Sequence, residues 1–392
     1  MNLQSIQKAL KEHKMDGWLF YDFHNRDPIT GRILGLDYNK MTTRRWFYFV
    51  PAEGEATKLV SSVEKTRLDG LPGRRVVYLS WKELHQRLKS ILGDHQNIAM
   101  NYSPMNNIPY VSMVDAGTVE LIRSLGYNPV SAADLIQLFE AVIDQTGFQS
   151  HVNAGKKVLA IKDEAFVEIG KAVREGRQTT EYEIQQFIAR RFREEGLTND
   201  GDDPIVGVNG HPADPHFEPT PENSYVFKEG DTVLIDLWAK ENKPGAIYYD
   251  VTWCGFIGQN PPAKYVEIFN VVRDARDAAK NFVKDRFARG VPCGGWEVDD
   301  ACREVVRQAG YGDYFLHRTG HSIGTEVHGN GGNIDNLETK DERRLMPGVC
   351  FSIEPGIYLE GEMAVRSEIN VFITPGGEVT VAGEEQRSLI LV

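Results

Sequence analysis

The sequence predicts an α+β protein built in two parts, and two patterns carry that prediction. Over the first third, strand-like apolar runs alternate with helical ones, the order of a compact α/β domain. From Asp231 onward strands arrive in pairs around a helical insert, the order of an antiparallel sheet rather than of repeated βαβ units.

Leu3, Ile6 and Leu10 share one face of an opening amphipathic helix. GWLFYDF (17–23), RRWFYFVP (44–51) and ATKLVSSV (56–63) read as strands, and PAEGEA (51–56) has the composition of a hairpin turn. RRVVYLS (74–80) is a further strand, WKELHQRLKSIL (81–92) a helix and NIAMNYS (97–103) a strand. DAGTVELIRSLG (115–126), closed by Gly126, and SAADLIQLFEAVI (131–143) read as helices. A long helical region follows from about Val152 to Ala172, and Thr180 and Glu183 have capping-box spacing ahead of the next helix. DTVLIDLWAK (231–240) then pairs with AIYYDVTWCGF (246–256), and helices occupy about 261–289 and 296–309. GVCFSIEPGIYL (348–359) pairs with MAVRSEINVFIT (363–374). No flexible linker marks a boundary, and the change of pattern divides the chain into 1–155 and 156–392.

At 392 residues the chain can bury two substantial cores. A net charge of −12 with no basic run argues against a nucleic-acid partner, which would need clustered Lys and Arg. Cys254, Cys293, Cys302 and Cys350 are widely spaced and form no CxxC, so buried thiols are expected rather than disulfides. No run approaches the ~18 apolar residues of a membrane span, and the first twenty residues lack the apolar core of an export signal. The expectation is a cytoplasmic chain with no membrane contact.

Four carboxylates stand out because they interrupt apolar strands: Asp236 in TVLIDLW, Asp250 in IYYDVTW, Glu354 in FSIEPGIY and Glu368 in VRSEINVFI. Asp and Glu are almost never fully buried unless paired or on a metal. Arg366 is the one basic residue within these strand cores and cannot balance four acids; two divalent cations with His321 can. Asp, Asp, His, Glu and Glu form a hard, oxygen-rich set that suits Mn, Co, Zn or Fe. Carboxylates shared between two such ions hold them ~3.5–4 Å apart. The alternative for each acid taken singly is a strand-end residue facing water. HRTGHSIGTEVHG (317–329) supplies the imidazole: seven residues separate His321 from His328, too far along a helix to share an ion, and the glycines argue against a helix. The two histidines therefore do different jobs.

With these residues in place the chain resembles the pita-bread metallopeptidases: methionine aminopeptidase, aminopeptidase P and prolidase, with creatinase as a non-metal relative. The family's ligands, in the order Asp, Asp, His, Glu, Glu, match Asp236, Asp250, His321, Glu354 and Glu368. HRTGHSIGTEVHG follows the proline-peptidase pattern except at Thr325, where an aliphatic residue is usual, and Gly329, where an acid is usual. NRDPITGRILG and FVPAEGEATKLV resemble the creatinase-type N-terminal domain. The two Asp ligands stand fourteen apart, a wider gap than the family's, and Trp253 replaces its usual Arg.

The resemblance implies a creatinase-like α/β domain over 1–155 and a pita-bread catalytic domain over 156–392. It implies a dinuclear peptidase of aminopeptidase P or prolidase type, with manganese the expected metal, acting on Xaa-Pro peptides as a homodimer. Glu354 becomes the proton shuttle as well as a ligand. His328 and His216, the latter in ADPHFEP, face the substrate, and Arg366 either contacts substrate or holds a ligand carboxylate. His211 and His317 are expected to be structural; His24, His85, His95 and His151 lie outside the motifs. Two other readings share the fold: a creatinase-like C–N hydrolase without metals, and a catalytically silent binding protein.

Overall fold

The computed structural model describes residues 2–392, and the chain divides into two compact units, 1–140 and 141–392. The first unit runs α1 (Leu3–Glu12), β1 (Gly17–Asp22), α2 (Pro28–Leu34), β2 (Trp46–Pro51), β3 (Thr57–Ser61) and β4 (Arg74–Tyr78). It continues with α3 (Trp81–Leu92), β5 (Asn97–Met100), α4 (Ala116–Ser124), β6 (Asn128–Ser131) and α5 (Ala133–Glu140). Its sheet has the order β4-β3-β2-β1-β5-β6, with β2 antiparallel to both β1 and β3 and the outer pairs parallel. Strands β1 and β2 are buried along their whole length, with Trp18, Phe20, Tyr48 and Val50 in one core and Leu19, Phe47 and Phe49 in another. These are the two faces of a period-2 pattern. The sequence reading missed α2, which Asp27 caps through Thr30 N (2.9 Å), with Pro28 at its first position.

The second unit opens with two helices, α6 (Gln145–Arg174) and α7 (Glu181–Glu194). Strands β7 (Leu197–Thr198), β8 (Ile205–Val208), β9 (Thr232–Glu241) and β10 (Tyr249–Phe256) follow. A second helix pair, α8 (Ala263–Ala288) and α9 (Gly295–Gln308), leads into β11 (Ser322–Ile323), β12 (Cys350–Ile353), β13 (Gly356–Leu359) and β14 (Met363–Arg366). The unit closes with β15 (Ile369–Ile373), β16 (Val379–Val381) and β17 (Ile390–Leu391). The expected division at 155/156 falls inside α6, whose His151, Ala154 and Val158 are buried, whereas the units divide at 140/141. The predicted capping box at α7 is formed: Thr180 Oγ1 accepts from Glu183 N (3.3 Å) and Glu183 Oε2 from Thr180 N (2.9 Å).

Antiparallel strands β9 and β10 put Asp236 opposite Thr252 and Trp238 opposite Asp250. Ile235, Leu237, Val251 and Trp253 face α6 and α7 in one core, while Leu234, Cys254 and Phe256 belong to another beneath α8 and α9. Both faces of the hairpin are therefore covered by helices. No helix among the described residues is long and apolar enough to cross a membrane, and all four cysteines are free and buried.

His151 is completely buried and donates from Nδ1 to the Tyr248 carbonyl (2.5 Å). Burial pushes its imidazole down to about 4. The unfolded chain takes up a proton near pH 6.5 that the folded chain refuses until about pH 4. This contribution to stability is full above pH 6.5 and is lost as the pH falls. Between pH 7 and pH 5 the loss is roughly 2 kcal/mol. Urea unfolding of His151→Gln at both pH values should show a correspondingly smaller fall in stability than wild type; equal falls would exclude the ring as the source.

Candidate metal centre

All but one of the positions that sequence analysis singled out for the site line one cavity of the second unit, of about 230 Å³; Glu368, 2% exposed, is not among its lining residues. Asp236, Asp250, His321 and Glu354 line it together with His216, His317, His328 and Arg366. Because Asp250 lies diagonally across the β9/β10 pair from Asp236, the two carboxylates share one face of the hairpin despite their fourteen-residue separation. The extra length lies in the loop 242–248 and leaves the register intact.

The two glutamates are not inside continuous strands. β12 pairs with β15 (Ile353 opposite Ile369) and β13 with β14 (Gly356 opposite Arg366), so Glu354–Pro355 and Ser367–Glu368 lie at one break between two sheets. Pro355 has no N–H, so its pairing with Ser367 keeps only the bond from Ser367 N to Pro355 O (3.3 Å). Backbone bonds redirect the freed segments: Glu354 N donates to Thr319 O (2.7 Å) and Glu368 N to Thr252 O (3.2 Å). The break thus delivers one glutamate toward the His321 segment and the other toward β10.

His321 enters from the edge beside β12. Its N–H donates to Ser352 Oγ (2.9 Å), and Ser352 N donates to its carbonyl (2.8 Å). Gly320 is required by this approach, since a Cβ there would lie 2.0 Å from Ser352 O. Gly329, which the sequence left unexplained, donates from its N–H to Ser322 O (2.6 Å), and a Cβ would meet Ser322 Oγ at 3.0 Å. His328 folds back so that its ring stands edge-on to that of His321, 4.3 Å between centroids.

Electrostatics decide what this arrangement can hold. His321 Nδ1 lies 3.2 Å from the Ser322 carbonyl, which can only accept, so Nδ1 carries a hydrogen. Its Nε2 then faces Glu354 Oε1 (3.2 Å) and Asp250 Oδ2 (3.5 Å). A lone pair aimed at two carboxylates is repulsive unless a positive charge lies between them. Burial alone would depress this ring, but its bonds to Asp250 and Glu354 hold it up at about 9. Burial pushes Asp250 up to about 7 against the His321 bond, and pushes Glu368 well above the carboxylate range, with Asp250, Glu354 and Asp236 adding to it. For Glu354 the His321 bond and charge outweigh burial and hold it well below that range. Asp236 Oδ1, Asp250 Oδ1 and Glu368 Oε1 are buried with no hydrogen-bond partner among the described residues. Ligand atoms of Asp250, His321 and Glu368 lie within 4.8 Å of one another. Ligands at ~2.0–2.2 Å from a shared cation require nearly this spacing. The donor set fits a divalent ion in place of the proton on His321.

Arg366 is buried and its guanidinium is committed to protein partners: Nη2 to Asp236 Oδ2, Nε to Thr252 Oγ1 (3.0 Å) and Nη1 to the Tyr358 hydroxyl (3.0 Å). One of these partners, Asp236, is among the four strand carboxylates. Thr252 passes its own hydrogen to Glu368 Oε2 (3.0 Å), linking the two ends of the site. His317 Nδ1 donates to Arg318 O (2.7 Å), so its Nε2 accepts from Tyr358 (2.7 Å), and burial pushes the ring down to about 4. Both ring nitrogens of His317 are thus engaged by protein groups, and the residue lines the cavity.

Sequence reasoning missed Thr252 and Tyr358 as supports of the site, as well as Asn370. Asn370 Oδ1 accepts from Asp250 N (3.1 Å) and its Nδ2 donates to Asp250 O, fixing β15 to β10. A polar residue in an apolar strand was the available signal at Asn370 and Thr252. Asp231, just before β9, is 3% exposed and accepts from Asn209 Nδ2 (2.8 Å) and Lys228 N (2.9 Å). Trp253 points away from the cavity, with Lys162 Nζ 3.5 Å from its ring centroid on the α6 side. Replacement of an Arg at that position therefore changes the helix–sheet core and not the cavity wall.

The profile of metallopeptidase family M24 matches residues 153–375, more than half of the chain, and the protein belongs to this family. A probable dipeptidase PepE of Mycobacterium tuberculosis is 32% identical over 270 residues, 69% of this chain and 66% of that one, so the chain spans just under two thirds of that relative. A putative Xaa-Pro aminopeptidase of Mycoplasma pneumoniae is 28% identical over 98% of each chain. The crystal structure of dipeptidase PepE from Mycobacterium ulcerans superposes with a TM-score of 0.70 at 23% identity, covering 100% of this chain and 96% of that one. That likeness shows the expected pita-bread fold with its N-terminal domain.

Gly320→Ala tests whether the edge approach of His321 builds the centre. Forcing a methyl against Ser352 O should cost ~1–3 kcal/mol of stability and lower divalent-ion affinity ~10–100-fold, as loss of a ligand's support does. Titration calorimetry with Mn²⁺ checks the second effect; wild-type affinity in the variant would refute this account of Gly320.

Proposed function

We propose that the protein is a dinuclear metal-dependent exopeptidase that hydrolyses the bond after an N-terminal residue, with Xaa-Pro peptides as its substrates. The observation that carries this reading is His321 Nε2 facing the carboxylates of Asp250 and Glu354, with buried, unpartnered oxygens on Asp236, Asp250 and Glu368. Asp236, Asp250, His321, Glu354 and Glu368 would hold the two ions, with manganese expected and Co, Zn or Fe as alternatives. A cavity of about 230 Å³ is smaller than the ~300–1,000 Å³ of most drug-sized sites and suits a short peptide end. Asp202, Asp203 and Glu218 at its rim are acidic and favour a substrate bearing a free α-ammonium group.

When bound at these residues, divalent ions would supply Lewis acidity at the scissile carbonyl and lower the pKa of a water. The remaining work falls to side chains. Glu354 accepts the proton lost by the attacking water and delivers it to the leaving nitrogen. Ser352 Oγ, 2.8 Å from Glu354 Oε1, keeps that carboxylate oriented. His328 and His216 line the cavity and donate hydrogen bonds to the carbonyl oxygen as charge develops on it. Arg366 holds Asp236 in place, and Thr252 does the same for Glu368. The family resemblance further supports a cytoplasmic homodimer, which light scattering on the purified chain tests for assembly.

Chelator-stripped protein resupplied with Mn²⁺, Co²⁺ or Zn²⁺ should cleave Xaa-Pro dipeptides or Xaa-Pro-Xaa tripeptides, and should leave creatine intact. Glu354→Gln should lower kcat by at least ~100-fold. Cleavage of no peptide under any of the metals sinks the reading, and an unchanged rate in Glu354→Gln removes that residue's role.

A further inference from the structure

We propose that Glu181 and His211 form a clamp that fixes the segment 209–224 and thereby positions His216 at the cavity; the catalytic consequence rests on the peptidase reading above. His216 lines the cavity, yet its side chain makes no hydrogen bond, ion pair or ring contact with the described residues. Its placement is therefore set by the backbone that carries it. That backbone is a sixteen-residue connection between β8 and the return toward β9, with only a short 3₁₀ turn at His211–Ala213. Connections of this length are otherwise free to sample many arrangements.

One buried carboxylate restrains it at three points. Glu181, the first residue of α7, is 0% exposed. Its Oε1 accepts from Val208 N (2.7 Å), where the segment leaves β8, and its Oε2 accepts from Tyr225 N (2.7 Å), where the segment returns. His211 Nδ1 lies 3.0 and 2.9 Å from the same two oxygens. Both oxygens are already accepting, so Nδ1 is the donor. The imidazole sits against Tyr225 (3.8 Å between centroids, 28°) and Phe217 (4.4 Å, 31°). Phe217 is the residue after His216, and Asp214 Oδ1 accepts from His216 N (3.1 Å) to close the local turn. The histidine ring is thus the one group that joins the middle of the segment to the carboxylate holding its ends.

The chemistry explains why this pair suits the task. A buried carboxylate must have its lone pairs satisfied, and α7 holds Glu181 rigidly, because its N–H also donates to Tyr225 O (3.1 Å). Stacking on two aromatic rings restrains the imidazole plane without consuming its donor. Misplacement of a hydrogen-bond donor by about 1 Å can cost ~100-fold in rate, so a restraint on the segment matters to a donor that has none of its own.

Hydrogen exchange and kinetics of His211→Ala, with His211→Phe as a variant that keeps the ring, decide the matter on the full chain. Amide exchange across 209–224 should accelerate about tenfold in His211→Ala while α8 stays unchanged; unaltered exchange in the segment overturns the clamp. In wild type, kcat for an Xaa-Pro substrate should fall about 10- to 100-fold on His211→Ala, with His211→Phe intermediate. In a His216→Ala background the same substitution should change kcat less than about twofold. An equal loss in both backgrounds overturns the positioning role, since His211 would then act independently of His216. If the metal-restored wild type cleaves nothing, the peptidase reading fails, and the exchange measurement alone decides the clamp.

Discussion

Four carboxylates gathered about one imidazole and one guanidinium are the constraint on which the second unit depends. Carboxylates this deeply buried destabilise a fold unless positive charge lies among them. Arg366 answers for Asp236, and the proton on His321 answers for Asp250 and Glu354. Glu368 is left with one hydroxyl, that of Thr252, and an unpartnered oxygen. The positive charge supplied by protein groups falls short of the negative charge collected there. The raised carboxyls of Asp250 and Glu368 and the retained proton on the imidazole express that shortfall.

The sheet is interrupted to make this crowding possible. By the register Glu354 and Glu368 stand opposite each other as a non-hydrogen-bonded pair, since Ser367 N donates to Pro355 O one position along. Their N–H groups therefore point outward, to Thr319 O and Thr252 O. The rest of the site is support for that break. Asn370 ties β15 to β10, Ser352 joins the His321 backbone to Glu354, and Gly320 permits the close approach of the two chain segments. Burial of Asp236, Asp250, His321 and Glu368 gives these charge interactions their strength.

Two side chains that differ from the family pattern illustrate how position governs consequence. Trp253 lies one residue from Thr252, yet strand alternation turns it to the α6 core beside Lys162. Gly329 lies one residue from His328, and its lack of a side chain lets the loop fold back on Ser322. The first departure concerns packing and the second concerns the path of the chain, and neither alters the donor set.

The sequence by itself determined the order of most elements, the period-2 faces of β9, and the identity of the acids and histidine that converge. Local patterns decide these: hydrophobic alternation, capping residues, and the anomaly of a carboxylate in an apolar run. Short elements escaped it, including α2, β8 and β11, because their few residues carry little periodic signal. The change of unit escaped it too, since α6 reads as one unbroken helix whichever core it joins. Only tertiary structure decided that the glutamates stand at a break between sheets, that Arg366 is committed to Asp236, and that Thr252, Tyr358 and Asn370 hold the site together. Those outcomes depend on which strands meet, and partners such as Asp250 and Asn370, 120 positions apart, leave no local trace. Glu181 and His211 show the same limit: 30 positions separate a pair whose meaning lies in the carboxylate they share with Val208 and Tyr225.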